Sequence, residues 1–235
     1  KRGKVMKLLT TSNLKTLKGG KLGYKTGILH LAPAKLSGYN VCPKASVQCA
    51  AACLNTSGMG AFSTVQEARI RKTVAFFEDR DNFLATLVKD IRALVKSAER
   101  DNMIPCVRLN GTSDIRWENM TVPGAANLME LFPTVQFYDY TKIANRKNIP
   151  SNYHLTFSRS ESNDADVKTA MANGFNVAVV FGVKPDAQLP TDYLGREVIN
   201  GDDTDLRFLD KPGVIVGLRA KGKARKGNTG FVVTV

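Results

Sequence analysis

From residue 104 onward the chain alternates short apolar runs with polar or amphipathic stretches, and this rhythm restricts the fold more than any other feature. Ile104–Leu109, Val135–Tyr138, Tyr153–Phe157, Val177–Phe181, Glu197–Asn200 and Val214–Gly217 read as strands. Helical stretches fall between them. Ala125–Leu131 follows Pro123-Gly124, Asp164–Ala172 stops at Gly174, and Thr141 to Asn148 reads as a polar turn or helix. Strands separated by helices imply right-handed βαβ units and a mainly parallel sheet.

Upstream, Tyr24–Leu31 reads as the first strand, closed by Pro33. Two helices follow. Ser63 and Thr64 are candidate N-caps for Val65–Glu78, whose apolar stripe is Ile70, Val74 and Phe77. Asp81 introduces the second, with Phe83, Leu84, Leu87, Val88, Ile91, Leu94 and Val95 on one face. The pattern predicts a single α/β domain over residues 1–235, a partial or distorted TIM-like (βα) barrel. A doubly wound open sheet is the alternative.

The cysteines are the second constraint. Cys42, Cys49 and Cys53 fall within twelve residues, in the loop after the first predicted strand. Ser46 can cap a helix that sets Cys49 and Cys53 one turn apart, with Cys42 folding back over its first turn. Thiols gathered at a helix amino end sit where the dipole favours thiolates. Three clustered thiols cannot all pair as disulfides, and a reducing cytoplasm disfavours such bonds. Structural zinc wants four ligands and gaps of two to four residues, whereas the gaps here are six and three. Zinc and plain buried cysteine remain alternatives; a [4Fe–4S] cluster on three thiolates, with one iron open, fits better. Cys106 lies too deep in its strand to serve as fourth ligand. His30 is a possible one, although a satisfied core histidine is its simpler role.

The predicted strands end in polar runs, Arg108 to Asp114, Tyr138 to Lys142 and His154 to Ser160. Parallel folds gather their chemistry at such ends. Strand parity sends Arg108, Asn110, His154, Thr156 and Ser158 to the interior. Asn110, Asp114, Asp139 and Ser158 are therefore the candidate catalytic residues. The opposing expectation is a self-satisfied network with Arg108 paired to Asp114 or Asp139.

Formal charge is +13, with eight basic and no acidic residues from Lys1 to Lys25, and six basic and none acidic from Lys211 to Lys226. Residues 1–23 thus read as a basic arm and 219–230 as a basic C-terminal segment. Such a field attracts nucleic acid, DNA or RNA alike. The alternative is basic tails ordered against the protein's own carboxylates. No helix-turn-helix, zinc-finger or RNA-recognition signature appears. No apolar run approaches the roughly 20 residues of a membrane span, and the expected location is the cytoplasm.

The chain resembles the phage "gene product 88" domain family. The resemblance is carried by Ile28-Leu29-His30-Leu31-Ala32-Pro33, by Gly38-Tyr39-Asn40-Val41-Cys42-Pro43-Lys44-Ala45 and by Cys49-Ala50-Ala51-Ala52-Cys53. It continues through Gln66-Glu67-Ala68-Arg69-Ile70-Arg71-Lys72-Thr73 and Arg108-Leu109-Asn110-Gly111-Thr112-Ser113-Asp114. It implies a phage protein in the host cytoplasm. More distantly, the chain is similar to radical S-adenosylmethionine enzymes, which carry three cysteines after the first strand of a partial barrel. Their spacing is C-x3-C-x2-C, against C-x6-C-x3-C here, and their glycine-rich acidic motif is replaced by Asn110 to Asp114. Three functions compete: an iron–sulfur protein that binds nucleic acid, a metalloenzyme using S-adenosylmethionine or another ligand at the open iron, and a phage structural or host-binding protein stapled by the cluster.

Overall fold

The computed structural model describes residues 6–53, 55, 57–226 and 230–234. One sheet organises them. It begins with β1 (Leu9–Thr10), antiparallel to β2 (Tyr24–Leu29). β3 (Ile104–Arg108), β4 (Gln136–Thr141), β5 (Tyr153–Ser158) and β6 (Val177–Phe181) follow in chain order, each parallel to its predecessor. β7 (Asp192–Tyr193) and β8 (Arg196–Asn200) form an antiparallel hairpin; β8 lies parallel to β9 (Ile215–Arg219), and β9 to β6. β10 (Val232–Val233) adds to the carboxyl half of β6, where β5 no longer pairs. The strand order is β1-β2-β3-β4-β5-β6-β9-β8-β7. Among the described residues its ends do not meet, so the sheet is open and mostly parallel, not a closed cylinder.

β8 matches the strand expected at Glu197–Asn200, whereas its hairpin partner β7 escapes the pattern because a two-residue strand carries no periodicity. The hairpin turn is Leu194-Gly195, both at positive φ (53° and 71°), as a tight hairpin requires.

One face of the sheet is covered by helices. The predicted helices are present as α3 (Ser63–Glu78) and α4 (Arg80–Arg100), after the short α1 (Leu14–Gly20) and α2 (Val47–Ala51). α4 buries Phe83, Leu84, Leu87, Val88, Ile91, Leu94 and Ala98 against β2 and β3, following the sequence pattern almost residue for residue. α3 differs. Phe62 is its N-cap with no side-chain bond, and its buried face is Thr73 and Phe76 rather than Ile70 and Val74. Phe76 packs on Phe83 and Trp117, while Phe77 stacks at 4.4 Å on Tyr39, which shields it from solvent. α5 shrinks to Leu128–Leu131, and α6 (Asp164–Ala172) lies between β5 and β6. The Thr141–Asn148 stretch forms no helix.

The opposite face is covered by the chain's own amino end and by residues 201–210. The stretch expected as a basic arm carries β1 and α1 from residue 9, while Lys1 to Val5 lie outside the described residues. α1 starts with a capping box: Asn13 Oδ1 accepts from Thr16 N at 3.0 Å, and Thr16 Oγ1 from Asn13 N at 2.8 Å. Leu206 packs with Cys106 and Tyr138 beneath this cover. Asp205 meets Arg108 Nη1 at 2.8 Å and Lys15 Nζ at 3.1 Å, closing a buried ion cluster.

Candidate functional site

The loop after β3 clasps the cysteine loop to the carboxyl edge of the sheet. Gly111 N donates to Leu29 O at 2.9 Å, Thr112 Oγ1 to Leu31 O at 2.6 Å, and Asp114 N to Val41 O at 2.8 Å. A Cβ on Gly111 would stand 2.7 Å from Leu29 O and 2.8 Å from His30 Cδ2, so only glycine lets the two segments approach. α3 supplies the other side of the clasp. Thr73 Oγ1 accepts from Ala32 N at 2.8 Å, Gln66 Nε2 donates to Gly60 O at 3.1 Å, and Arg69 donates to the buried Asn55 side chain. The conspicuous sequence runs at 66–73 and 108–114 thus hold the loop that contains the cysteines.

Cys42 sits in that loop, its Sγ accepting from Ala34 N at 3.4 Å. Cys49 lies in α2, where Ser46 caps the helix and accepts from Cys49 N at 3.1 Å. The helix stops at Ala51, so Cys53 falls beyond its last turn rather than one turn along its face. A five-residue helix with no buried residue has little to extend it. Even so, all three cysteines are half-buried and lie close enough for Cys53 and Cys49 to bear on the titration of Cys42. Burial pushes all three thiols up, Cys42 to about 12, and each neighbouring thiol pushes Cys42 further. None is in a disulfide.

Two charged groups passed over in the sequence complete the site. Glu161 closes the amino end of α2, its Oε2 accepting from Ser46 Oγ at 2.8 Å and its Oε1 from Gln48 N at 3.1 Å. That carboxylate occupies the dipole end expected to favour thiolates. Lys142, 7% exposed, donates from Nζ to Ser158 Oγ at 2.8 Å and to Ser158 O at 3.1 Å. It acts on Cys49 first, then on Asp114 and Glu161. Lys142 stands in the polar run that ends β4, and Glu161 just past the one that ends β5. That both bear on Cys49 is invisible in one dimension.

The candidate catalytic residues divide into two pairs. Ser158 and Asp114 meet at Lys142: Ser158 binds its ammonium, and Asp114 Oδ2 accepts from its backbone N at 2.8 Å. Asn110 and Asp139 are woven into the scaffold instead. Asn110 Oδ1 accepts from Ser113 Oγ, Ile115 N and Trp117 Nε1, which shapes the turn after β3. Asp139 is fully buried, accepting from Asn110 N at 2.7 Å and Tyr153 Oη at 2.8 Å; burial pushes its carboxyl to about 7. Arg108 pairs with Asp205, a partner more distant in sequence than either expected carboxylate, and lies 3.9 Å from Asp139. Cys106 is buried at 3.2 Å from Thr26 Oγ1. His30 is half-buried at the end of β2, with burial and then Arg69 pulling its imidazole down to about 3.

Much of the predicted basic surface is engaged internally. Lys25 pairs with Asp101, Lys211 with Glu197, and Lys221 with Asp202. Among the described residues, no group of three or more His, Cys, Asp or Glu side chains converges on a point that could hold a single metal ion. No helix there is long and apolar enough to cross a membrane.

Fold and site together define an α/β protein with an open, mostly parallel sheet and a thiol-lined loop clasped at its carboxyl edge. The chain belongs to the phage family described as Gene product 88, matching it over residues 6–234. No curated protein and no solved structure matches it.

Proposed function

We propose that this phage protein carries a [4Fe–4S] cluster on Cys42, Cys49 and Cys53, with one iron left open to a further ligand. What supports this reading is the gathering of three half-buried cysteines within twelve residues at the carboxyl strand ends, where Cys53 and Cys49 both push the Cys42 thiol up. A single zinc needs its sulfurs about 2.3 Å from one point, and the six- and three-residue gaps between these cysteines suit that poorly. A cubane offers a separate iron corner to each thiolate, so its ligands stay further apart. Thiols held protonated by burial exchange their protons for metal when it binds. Lys142 and Arg69 supply positive charge against the anionic cluster. The chain-order run of parallel strands β2 to β6 supports reading the sheet as an incomplete barrel, whose carboxyl edge is where chemistry gathers. Asp114 and Ser158 would flank the open iron; Asn110 and Asp139 would shape the loop and the core beneath it.

Anaerobically purified protein should be brown and hold about four irons and four sulfides per chain, and Cys49→Ser should bleach it. A colourless protein with stoichiometric zinc would end the reading. Addition of S-adenosylmethionine to reduced protein separates an enzyme from a structural cluster: a shifted spectrum or cleavage marks the former.

A second reading, contact with nucleic acid, rests on the +13 formal charge and on exposed Lys35 and Lys44 beside the cysteine loop. If several phosphates are contacted, DNA affinity should fall by orders of magnitude between low and moderate salt. Absence of retention at low salt removes it.

A further inference from the structure

The excess of positive charge comes from the two ends of the chain. Residues 1–66 carry ten Lys or Arg and no Asp or Glu, residues 211–235 carry six and none, and the stretch between them is net acidic. The fold brings these two acid-free segments together at the cysteine loop. β10 runs along the carboxyl half of β6, where Gly182 N donates to Val233 O at 2.9 Å and Arg159 Nη1 to Gly230 O at 2.7 Å. Ahead of it, a short 3-10 helix (Gly222–Lys226) buries Ala224 with Ala220 and Val232, and Ala52, the residue before Cys53, packs on that cluster. A Cβ on Gly222 would stand 2.7 Å from Ser57 Cβ, so the two segments touch there as well.

Away from this edge the cations of both segments meet carboxylates: Lys15 pairs with Asp205, Lys25 with Asp101, Lys211 with Glu197 and Lys221 with Asp202. Around the cysteine loop four do not. Among the described residues, exposed Lys35 and Lys44 on the loop, and Lys223 and Arg225 on the helix packed against it, form no ion pair. Glu161, beside α2, is occupied by Ser46 and Gln48. Apolar side chains stand among these cations. Met59 is 71% exposed and Phe62 58%, both just past the Ser57 contact.

We infer that the two basic segments form one track for a single-stranded nucleic acid crossing the cysteine loop, with its phosphates on Lys35, Lys44, Lys223 and Arg225 and its bases against Met59 and Phe62. This deepens, and rests on, the reading of nucleic-acid contact above; it is independent of the cluster. Charge alone would suit a duplex equally. Exposed aromatic and apolar faces favour a strand with unpaired bases, because a base stacked on a side chain has left its own helix. An acidic protein would neutralise the cations and leave those faces unused.

Fluorescence anisotropy on the full chain should compare a labelled oligothymidine with a duplex of the same length. The single strand should bind about tenfold or more tighter at moderate salt. Phe62→Ala should weaken the strand about fivefold or more and leave the duplex unchanged. Two double variants, Lys35→Gln with Lys44→Gln and Lys223→Gln with Arg225→Gln, should each lower the slope of log affinity against log salt by about 1.4. Lys96→Gln, exposed on α4, should change neither affinity nor slope. Every substituted side chain is exposed, so the variants keep the fold. No binding of either nucleic acid at low salt removes nucleic-acid contact altogether, and this inference with it. Strand binding with an unaltered slope in both double variants keeps that contact and overturns the track. So does equal affinity for strand and duplex, or equal displacement of the strand by polyglutamate of matched charge, which would mark an acidic protein as the partner.

Discussion

Lys142 reaches beneath the cysteine site and hands its ammonium to Ser158, 2.8 Å from the hydroxyl and 3.1 Å from the carbonyl of that residue. Every acceptor it hydrogen-bonds is neutral, and its positive charge bears on Cys49 as well as on the Asp114 and Glu161 carboxylates. Lys142→Met keeps the length of the side chain and removes the charge. In protein loaded with iron and sulfide, the cluster should then be reduced at a more negative potential, as spectroelectrochemistry would read. An unmoved potential in a loaded variant would show that Lys142 plays no electrostatic role there.

Asp205 joins strand and amino end by holding both Arg108 and Lys15. Asp205→Asn leaves the buried guanidinium without its carboxylate and should cost about 3–5 kcal/mol in urea unfolding. The neighbouring cations hold the Asp205 carboxyl well below the usual carboxylate range. Its contribution is therefore present above about pH 4, the unfolded value, and is lost as pH falls through the lower folded value. Wild-type stability should drop on acidification below that point, and the variant should lose this part of the dependence.

Asp139 works in the opposite direction. Its folded pKa, about 7, lies above the unfolded value, so the native state holds the proton longer. Stability should fall as pH rises from about 4 to 7, with a slope approaching about 1.4 kcal/mol per unit from this group. In Asp139→Asn the amide can still accept from Asn110 N and donate to the Tyr153 hydroxyl. Denaturant midpoints across that range should lose the slope; a slope that persists unchanged would contradict the assignment.

Gly111→Ala places a methyl against Leu29 O and Ile28 Cγ2, each within 2.8 Å. Backbone cannot yield as a flexible side-chain tip does, so overpacking should cost about 1–3 kcal/mol. The same change pushes the loop after β3 away from β2 and should loosen the cysteine loop. Thermal melting reads the first effect, and proteolysis within residues 34–46 the second.

The strongly periodic elements were legible because their burial is one-sided. α4 declares its face through Phe83 to Leu94, and β6 and α6 match the sequence pattern at both ends. α1 was missed because its signal is a capping box, Asn13 with Thr16, without an apolar stripe behind it. The exposed, short α2 ended one turn early for want of anything to pack on.

By itself the sequence determined the α/β alternation, the strand polarity that makes polar ends cluster, and the concentration of three thiols in one loop. Those are local properties, written in residue spacing and hydrophobic period. Tertiary structure alone decided which charges meet. Asp205 was joined to Arg108 from 97 residues away, and Glu161 to Ser46 from 115. Lys142 was turned toward the thiols rather than outward, and the sheet was left open. Burial of charge is the physical reason. Its cost is settled only when a distant partner arrives, and spacing along a chain carries no information about which partner that will be.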